Sequence, residues 1–226
     1  MEKKYLFFDI DGTLTDRSTG EIVPSAREAL TRLEENGHFV AIATGRAHYK
    51  ARKFTDANGF KNMVCCGGNG CVIDNELVEN IPLDKDGCIK IIHQAEELGY
   101  GWCVALDDTK DVYMTDDKFL RQVGKRKEPT RYIIDDMLEV EKADAIYKVY
   151  VAIPKEDEEK LTTKELVGHL RFEPEYLMFQ PDNKRGGIIK MMEHLNADIK
   201  DVVVFGDDYN DMDMFCPEWF SIAMGN

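Results

Sequence analysis

The chain has 226 residues, 43% of them hydrophobic, with 43 acidic against 29 basic side chains and a formal net charge of −14. That apolar content supports one large packed core or two modest ones and excludes general disorder. So acidic a surface repels nucleic-acid phosphates and anionic lipid, so no nucleic-acid and no membrane partner is expected, although such a balance also serves plain solubility.

Residues 5–10 form a short apolar run, rich in aromatics and bounded by Gly12, which reads as a buried strand. Together with the preceding Met1-Glu2-Lys3-Lys4 it is too short for a signal peptide, and no segment approaches the roughly 20 apolar residues that span a bilayer. The expected location is cytoplasmic. Ser25 opens a helical stretch with Ala26, Ala29, Leu30 and Leu33 at helical spacing, and Gly37 is its stop. Residues 39–43 make the next buried strand, ending at Thr44-Gly45-Arg46; a polar helix and a strand at 63–66 follow. None of the six cysteines forms a CxxC pair or a zinc spacing, and adjacent Cys65 and Cys66 read as small core residues of a reducing compartment.

The texture changes after about Pro82. A helix over 86–98 leads into alternating segments near 102–107, 112–115, 146–153 and 170–179, which predict an open antiparallel sheet with helices on one face. From Lys184 the first texture returns, with a helix over 188–195, a strand at 202–205, Gly206, and an acidic turn into another helix. The expected fold class is therefore α/β: a Rossmann-like parallel-sheet core in two pieces, 1–81 and 181–226, with an α+β module at 82–180 inserted between them.

Four clusters carry candidate chemistry. In Asp9-Ile10-Asp11-Gly12-Thr13, Asp9 and Asp11 can face one side of an extended chain while Ile10 packs inward. Two carboxylates at a strand's carboxyl end repel unless a cation or proton is shared, and a hard divalent ion with oxygen ligands, magnesium above all, satisfies them. An EF-hand loop fails, because Leu14 stands where its glycine belongs. The pentapeptide alone leaves catalysis, a metal-bound nucleotide sugar and a solvated turn all open. The second cluster, Gly206-Asp207-Asp208-Tyr209-Asn210-Asp211, follows an apolar strand; one or two acids would serve as a helix cap, but with Asp213 there are four, which favours a second metal-binding edge. Thr44-Gly45-Arg46 offers an anion-binding nest or an ordinary loop. Lys184, by itself, is an ordinary surface lysine. All four fall at carboxyl ends of core strands or at helix starts beside them, and together they describe a pocket for a dianionic phosphate.

Taken together, FFDIDGTLTD near residue 7, AIATGR near 41, GGNG near 67, Lys184, GDDYNDMDM near 206 and the terminal IAMGN resemble the haloacid dehalogenase superfamily, specifically its Cof-type phosphatases with a type IIB cap. The strings run through the whole chain in the family's order. The resemblance implies a cytoplasmic, Mg2+-dependent hydrolase of a small phosphorylated metabolite, such as a sugar phosphate, working through an aspartyl-phosphate. Asp9 would be the nucleophile and Asp11 the general acid, then base. Thr44, Gly45, Arg46, Lys184 and Asn210 would bind substrate, and Asp9, the backbone carbonyl of Asp11, and Asp207 would hold the metal, with Asp211 behind them. Within the same resemblance stand a phosphomannomutase-like phosphotransferase, if water is excluded, and a non-catalytic binding protein, against which the intact motif residues argue.

Three departures stand out. Arg185 occupies a position usually held by glycine, Cys71 one usually held by alanine, and the chain ends at Asn226 where family members continue through a further helix and strand. In the inserted module Trp102, Tyr113, Tyr147, Tyr150, Tyr176 and Phe179 fit either a pocket or the core, and Arg121, Arg126 and Arg131 either a substrate anion or a solvated face.

Overall fold

The computed structural model describes residues 2–126 and 130–225. Strand β1 (Tyr5–Phe8) buries both of its faces, Leu6 and Phe8 in one apolar cluster and Phe7 in another. Helix α1 (Pro24–Glu35) leads to β2 (Phe39–Ala43), where Val40 and Ile42 share the first cluster and Ala41 and Ala43 the second. Strands apolar on both sides need a layer over each. Leu30 of α1 and Ala51 of α2 (His48–Asn58) supply one of them. After β3 (Met63–Cys65) the chain turns back through β4 (Gly70–Ile73) and β5 (Glu76–Asn80), joined by Asp74 and Asn75, both at positive φ. Mirror-image hairpin turns require that conformation, and Asp and Asn tolerate it.

Two compact units emerge, one of Met1–Asn80 with Asp182–Asn226 and one of Ile81–Pro181. The second begins with α3 (Lys85–Glu97), capped by the Asp84 side chain, which accepts from the Gly87 amide. Strands β6 (Trp102–Ala105) and β7 (Asp111–Met114) follow, then the short helix α4 (Lys118–Val123), β8 (Arg131–Ile134), β9 (Lys148–Val151), β10 (His169–Glu173) and β11 (Tyr176–Phe179). They form one sheet in the order β10-β11-β9-β6-β7-β8. Its pairings are antiparallel except β7 with β8, which is parallel. The sheet is therefore mixed rather than wholly antiparallel, because the connection through α4 carries the chain back to the starting edge. Nor are the helices confined to one face. Ile91, Ile92 and Ala95 of α3 cover the side of Val104, Val149 and Phe179, while Phe119 of α4 packs with Cys103, Tyr150 and Met178 on the other.

Back in the first unit, α5 (Lys184–His194) covers the second face through Ile188, Met191 and Met192. Strand β12 (Val202–Gly206) then pairs with β1, and β13 (Phe220–Ala223) with β12. The sheet order is β13-β12-β1-β2-β3-β4-β5, parallel from β13 to β3 and antiparallel in the hairpin edge. The chain moves outward from β1 in one direction through β2 and β3, and in the other through β12. That reversal makes the carboxyl ends of β1 and β12 the switch point where open α/β sheets bind ligands. Between β12 and β13 lies a six-residue 3-10 helix, Tyr209–Met214, in place of the α-helix expected there. No helix among the described residues is long and apolar enough to cross a membrane.

Candidate active site

Phe8 of β1 stands opposite Phe205 of β12, so the next residues of the two strands leave the sheet side by side. The Asp9 amide prolongs the ladder by donating to the Phe205 carbonyl at 3.0 Å. Beyond Asp9 the chain folds on itself, the Leu14 and Thr15 amides and the Thr15 hydroxyl all donating to the Ile10 carbonyl. Gly12 has φ +99°, and a Cβ there would lie 2.2 Å from Asp207 Oδ2. Only glycine permits this approach of the two acidic loops.

Lys184 arrives from the other side of the sheet. The turn at Gly67-Gly68 is the seat for the start of α5: the Asn183 amide donates to the Gly67 carbonyl at 2.8 Å, and the Asn183 side chain accepts from the Gly186 amide. A Cβ on Gly68 (φ +108°) would lie 2.0 Å from the Asn183 carbonyl oxygen, and one on Gly187 2.4 Å from Val64. Lys184 is thus delivered into the interior, 1% exposed, which overturns the surface reading of this residue taken alone. Its Nζ donates to Asp9 Oδ1 at 2.8 Å and to Asp211 Oδ1 at 2.5 Å. Burial is the largest influence on Lys184 and lowers its pKa, but Asp9 and Asp211 outweigh it and raise the ammonium above its ordinary value. Asp9 moves up to about 6, because burial and the Asp211 and Asp11 charges outweigh the ammonium.

The acids after β12 divide their work. Asp208 and Asp211 form a reciprocal capping box on the 3-10 helix, so capping accounts for two of them. Asp211 also accepts the Asp207 and Asp208 amides at Oδ2, 2.9 and 3.2 Å, while its Oδ1 holds Lys184. Asp213 accepts the Arg185 amide at 2.8 Å. Asp207 takes the Thr13 hydroxyl at Oδ1, 2.7 Å, and Arg17 Nη2 at Oδ2, 2.5 Å.

One carboxylate oxygen from each of Asp9, Asp207 and Asp211 lies within 4.8 Å of the other two. An all-oxygen anionic set facing a single ammonium fits a hard divalent ion such as Mg2+. Asp211 is bound to the protein by backbone amides and a buried lysine that cannot leave. Asp9 and Asp207 are the more available ligands, since Asp9 Oδ2 makes no hydrogen bond among the described residues and Arg17 is a solvent-facing partner.

Asp11 stands outside this triad. Its side chain is 62% exposed and paired with Arg46, Nη2 to Oδ1 at 2.6 Å and Nε to Oδ2 at 3.1 Å. Arg46 also lies over the Phe54 ring. Thr44 is buried at the same sheet end as Asp9, one strand over, its hydroxyl accepting from the Arg46 amide at 3.2 Å. Gly45 lies in the loop between β2 and α2, and α2 begins only at His48. Asn210 is half-buried in the 3-10 helix, and its side chain makes no hydrogen bond among the described residues. Sequence reasoning passed over Arg17 and gave Thr13 no role; an arginine four residues past a candidate DxDGT loop was the available signal.

Arg185 is tied to Glu218 rather than standing free, and Cys71 is a buried member of the core with its thiol pushed up to about 12 by burial. The IAMGN string ends in Asn226, which lies outside the described residues. In the second unit Trp102, Tyr150, Tyr176 and Phe179 are buried in the two clusters, with Tyr113 packed against one of them, and Tyr147 is half-buried. Arg121 pairs with Asp117 and Arg131 with Asp111, whereas Arg126 stacks 4.0 Å over the Tyr150 ring.

A family model described as haloacid dehalogenase-like hydrolase matches residues 6–226. The protein YkrA of Bacillus subtilis (strain 168) is 28% identical over 229 residues, which cover 100% of this chain and 88% of YkrA. The pyridoxal phosphate phosphatase YbhA of Escherichia coli (strain K12) is 27% identical over 248 residues, covering 100% of this chain and 89% of YbhA. Among solved structures, that of the HAD subclass IIB sugar phosphatase BT4131 superposes with a TM-score of 0.75 at 22% identity, covering 99% of this chain and 88% of that one. The family match spans both pieces of the core sheet and the mixed sheet between them, and on that ground the chain belongs to the haloacid dehalogenase-like hydrolases, as a Cof-type phosphatase of subclass IIB.

Proposed function

We propose that this phosphatase is a Mg2+-dependent phosphomonoesterase that forms an aspartyl-phosphate on Asp9, with sugar phosphates and pyridoxal phosphate as the first candidate substrates. The observation that carries the reading is the buried Lys184 ammonium shared by Asp9 and Asp211 where β1 and β12 end. Phosphoryl transfer is chiefly positioning and charge neutralisation. A carboxylate can attack a dianion only if positive charge is already in place, and a lysine locked between two acids supplies it without reorganisation.

In the first step an Asp9 carboxylate oxygen bonds to phosphorus, the ester P–O bond breaks, and Asp11 gives its proton to the departing oxygen. In the second, water attacks the phosphorus, Asp11 takes the water's proton, and Asp9 leaves with inorganic phosphate as the product. Asp11 has to part from Arg46 to carry that proton, and an incoming phosphate offers the guanidinium another anion. Thr44, Gly45, Arg46 and Asn210 complete the phosphoryl pocket, with Lys184 orienting Asp9. Magnesium, held by Asp9, Asp207 and the Asp11 carbonyl, would offset the charge of the arriving phosphate. The likeness to a pyridoxal phosphate phosphatase over the whole chain supports a small phosphorylated substrate. The six cysteines form no disulfide among the described residues, which accords with a reducing, cytoplasmic setting.

A panel of phosphorylated metabolites assayed for released phosphate tests substrate class and reaction together. Asp9→Asn is expected to stop turnover by at least about a thousandfold with its circular dichroism unchanged. EDTA should silence the parent enzyme and Mg2+ restore it. Retained Mg2+-dependent release by Asp9→Asn would exclude Asp9 as nucleophile, and isomerised ester in place of phosphate from hexose 1-phosphates would make the enzyme a mutase.

A further inference from the structure

Asp207 is the member of the acidic triad whose charged partner is the solvent-facing Arg17 rather than the buried Lys184. Its carboxylate is 1% exposed, with the Thr13 hydroxyl on Oδ1 and Arg17 Nη2 on Oδ2. The same guanidinium lies 3.7 Å from Asp208 Oδ2. Arg17 reaches the site from a closed turn: the Asp16 side chain accepts from the Ser18 and Thr19 amides, the Asp16 amide donates to the Glu21 carbonyl, and the Gly20 amide to the Asp16 carbonyl. Gly12 clears its path, since a Cβ there would lie 2.7 Å from Arg17 Nε.

The two partners of Asp207 differ in kind. A neutral hydroxyl can stay on one carboxylate oxygen while the other ligates an ion. A guanidinium carries full positive charge, and like charges at contact distance repel. Arg17 is also 61% exposed along its side chain, so it can swing into water without a large desolvation cost.

We propose that Arg17 is the site's internal counter-ion: it neutralises and orients the Asp207 carboxylate, and it must give up Oδ2 when Mg2+ binds, so that Arg17 sets the metal affinity. The inference rests on the reading of Asp207 as a metal ligand. Arg17 is a positioning residue here, acting through Asp207 rather than on the substrate.

Isothermal titration of the full chain with Mg2+ tests it, using the parent, Arg17→Gln, Arg17→Lys and Asp207→Asn. Arg17→Gln is expected to bind Mg2+ about tenfold more tightly than the parent, with Arg17→Lys between them. In EDTA, Arg17→Gln should melt below the parent, and saturating Mg2+ should close that gap. Equal or weaker Mg2+ binding by Arg17→Gln, or no difference in melting in EDTA, overturns the proposal. Asp207→Asn separates the two layers of the argument: it is expected to lose Mg2+ binding, and parent-like binding would overturn the metal-ligand reading itself.

Discussion

Burial of Asp9, with the charge of Asp211 beside it, disfavours its ionised form, while Lys184 favours it, and the outcome is a pKa of about 6 against an ordinary 3.8. A carboxyl raised in the folded state binds more protons there than in the unfolded chain. Its contribution to stability therefore falls as pH rises from about 4 to about 6 and stays flat above. For the metal-free protein this amounts to something on the order of 3 kcal/mol. Asp9→Asn lacks the titration, so its melting temperature relative to the parent, measured in EDTA, should climb by several degrees between pH 4 and 7 and then level off. A difference independent of pH would show that Asp9 does not titrate in that range. Lys184 was the residue least legible from the sequence alone, because a lysine's burial depends on which helix start meets which turn. The DxDGT and GDDYND acids were legible because they follow apolar strand runs directly.

The Gly67-Gly68 turn illustrates what an element must do for the site. It brings β3, β4 and the start of α5 within backbone contact, so the chemistry of Lys184 depends on two glycines that touch no substrate. Gly68→Ala would combine a φ near +108° with a Cβ 2.0 Å from the Asn183 carbonyl, and something must move. The expected outcome is a melting temperature lower by at least several degrees and a kcat reduced more than tenfold, because the first turn of α5 is displaced from Asp9. Parent-like turnover in a thermal melt and phosphate-release comparison would mean that Lys184 is positioned by other contacts. Strands with apolar runs on both faces, β1, β2 and β12, were readable in advance. The β4–β5 hairpin was not, since Glu76–Asn80 is largely exposed and its turn, Asp74-Asn75, lacks the usual glycine. The 3-10 segment after β12 was expected as an α-helix; its six residues open on a reciprocal acid cap and close on Phe215 in a non-helical conformation, too short a stretch for periodicity to reveal. Likewise the parallel β7–β8 pair hides behind a short helix, and half-exposed β8 lacks an apolar face that a sequence pattern could show.

At the scale of the molecule, the inserted unit carries its own interior. Ile81–Pro181 buries two apolar clusters, one beneath α3 and one beneath α4, on opposite faces of its single sheet. About a hundred residues with a two-sided core is an ordinary size for an independent domain. Every proposed catalytic and metal residue belongs to the other unit, from Asp9 to Asp11 and from Lys184 to Asp207. The proposed chemistry thus belongs to one unit, while the inserted unit has a core of its own. A peptide of residues 81–181 is accordingly expected to unfold in a single cooperative thermal transition, with amide protons of β6 and β9 slow to exchange because these two strands sit in the middle of the sheet. It should release no phosphate from any ester. A peptide without a cooperative transition would show instead that the insert borrows its stability from the rest of the chain.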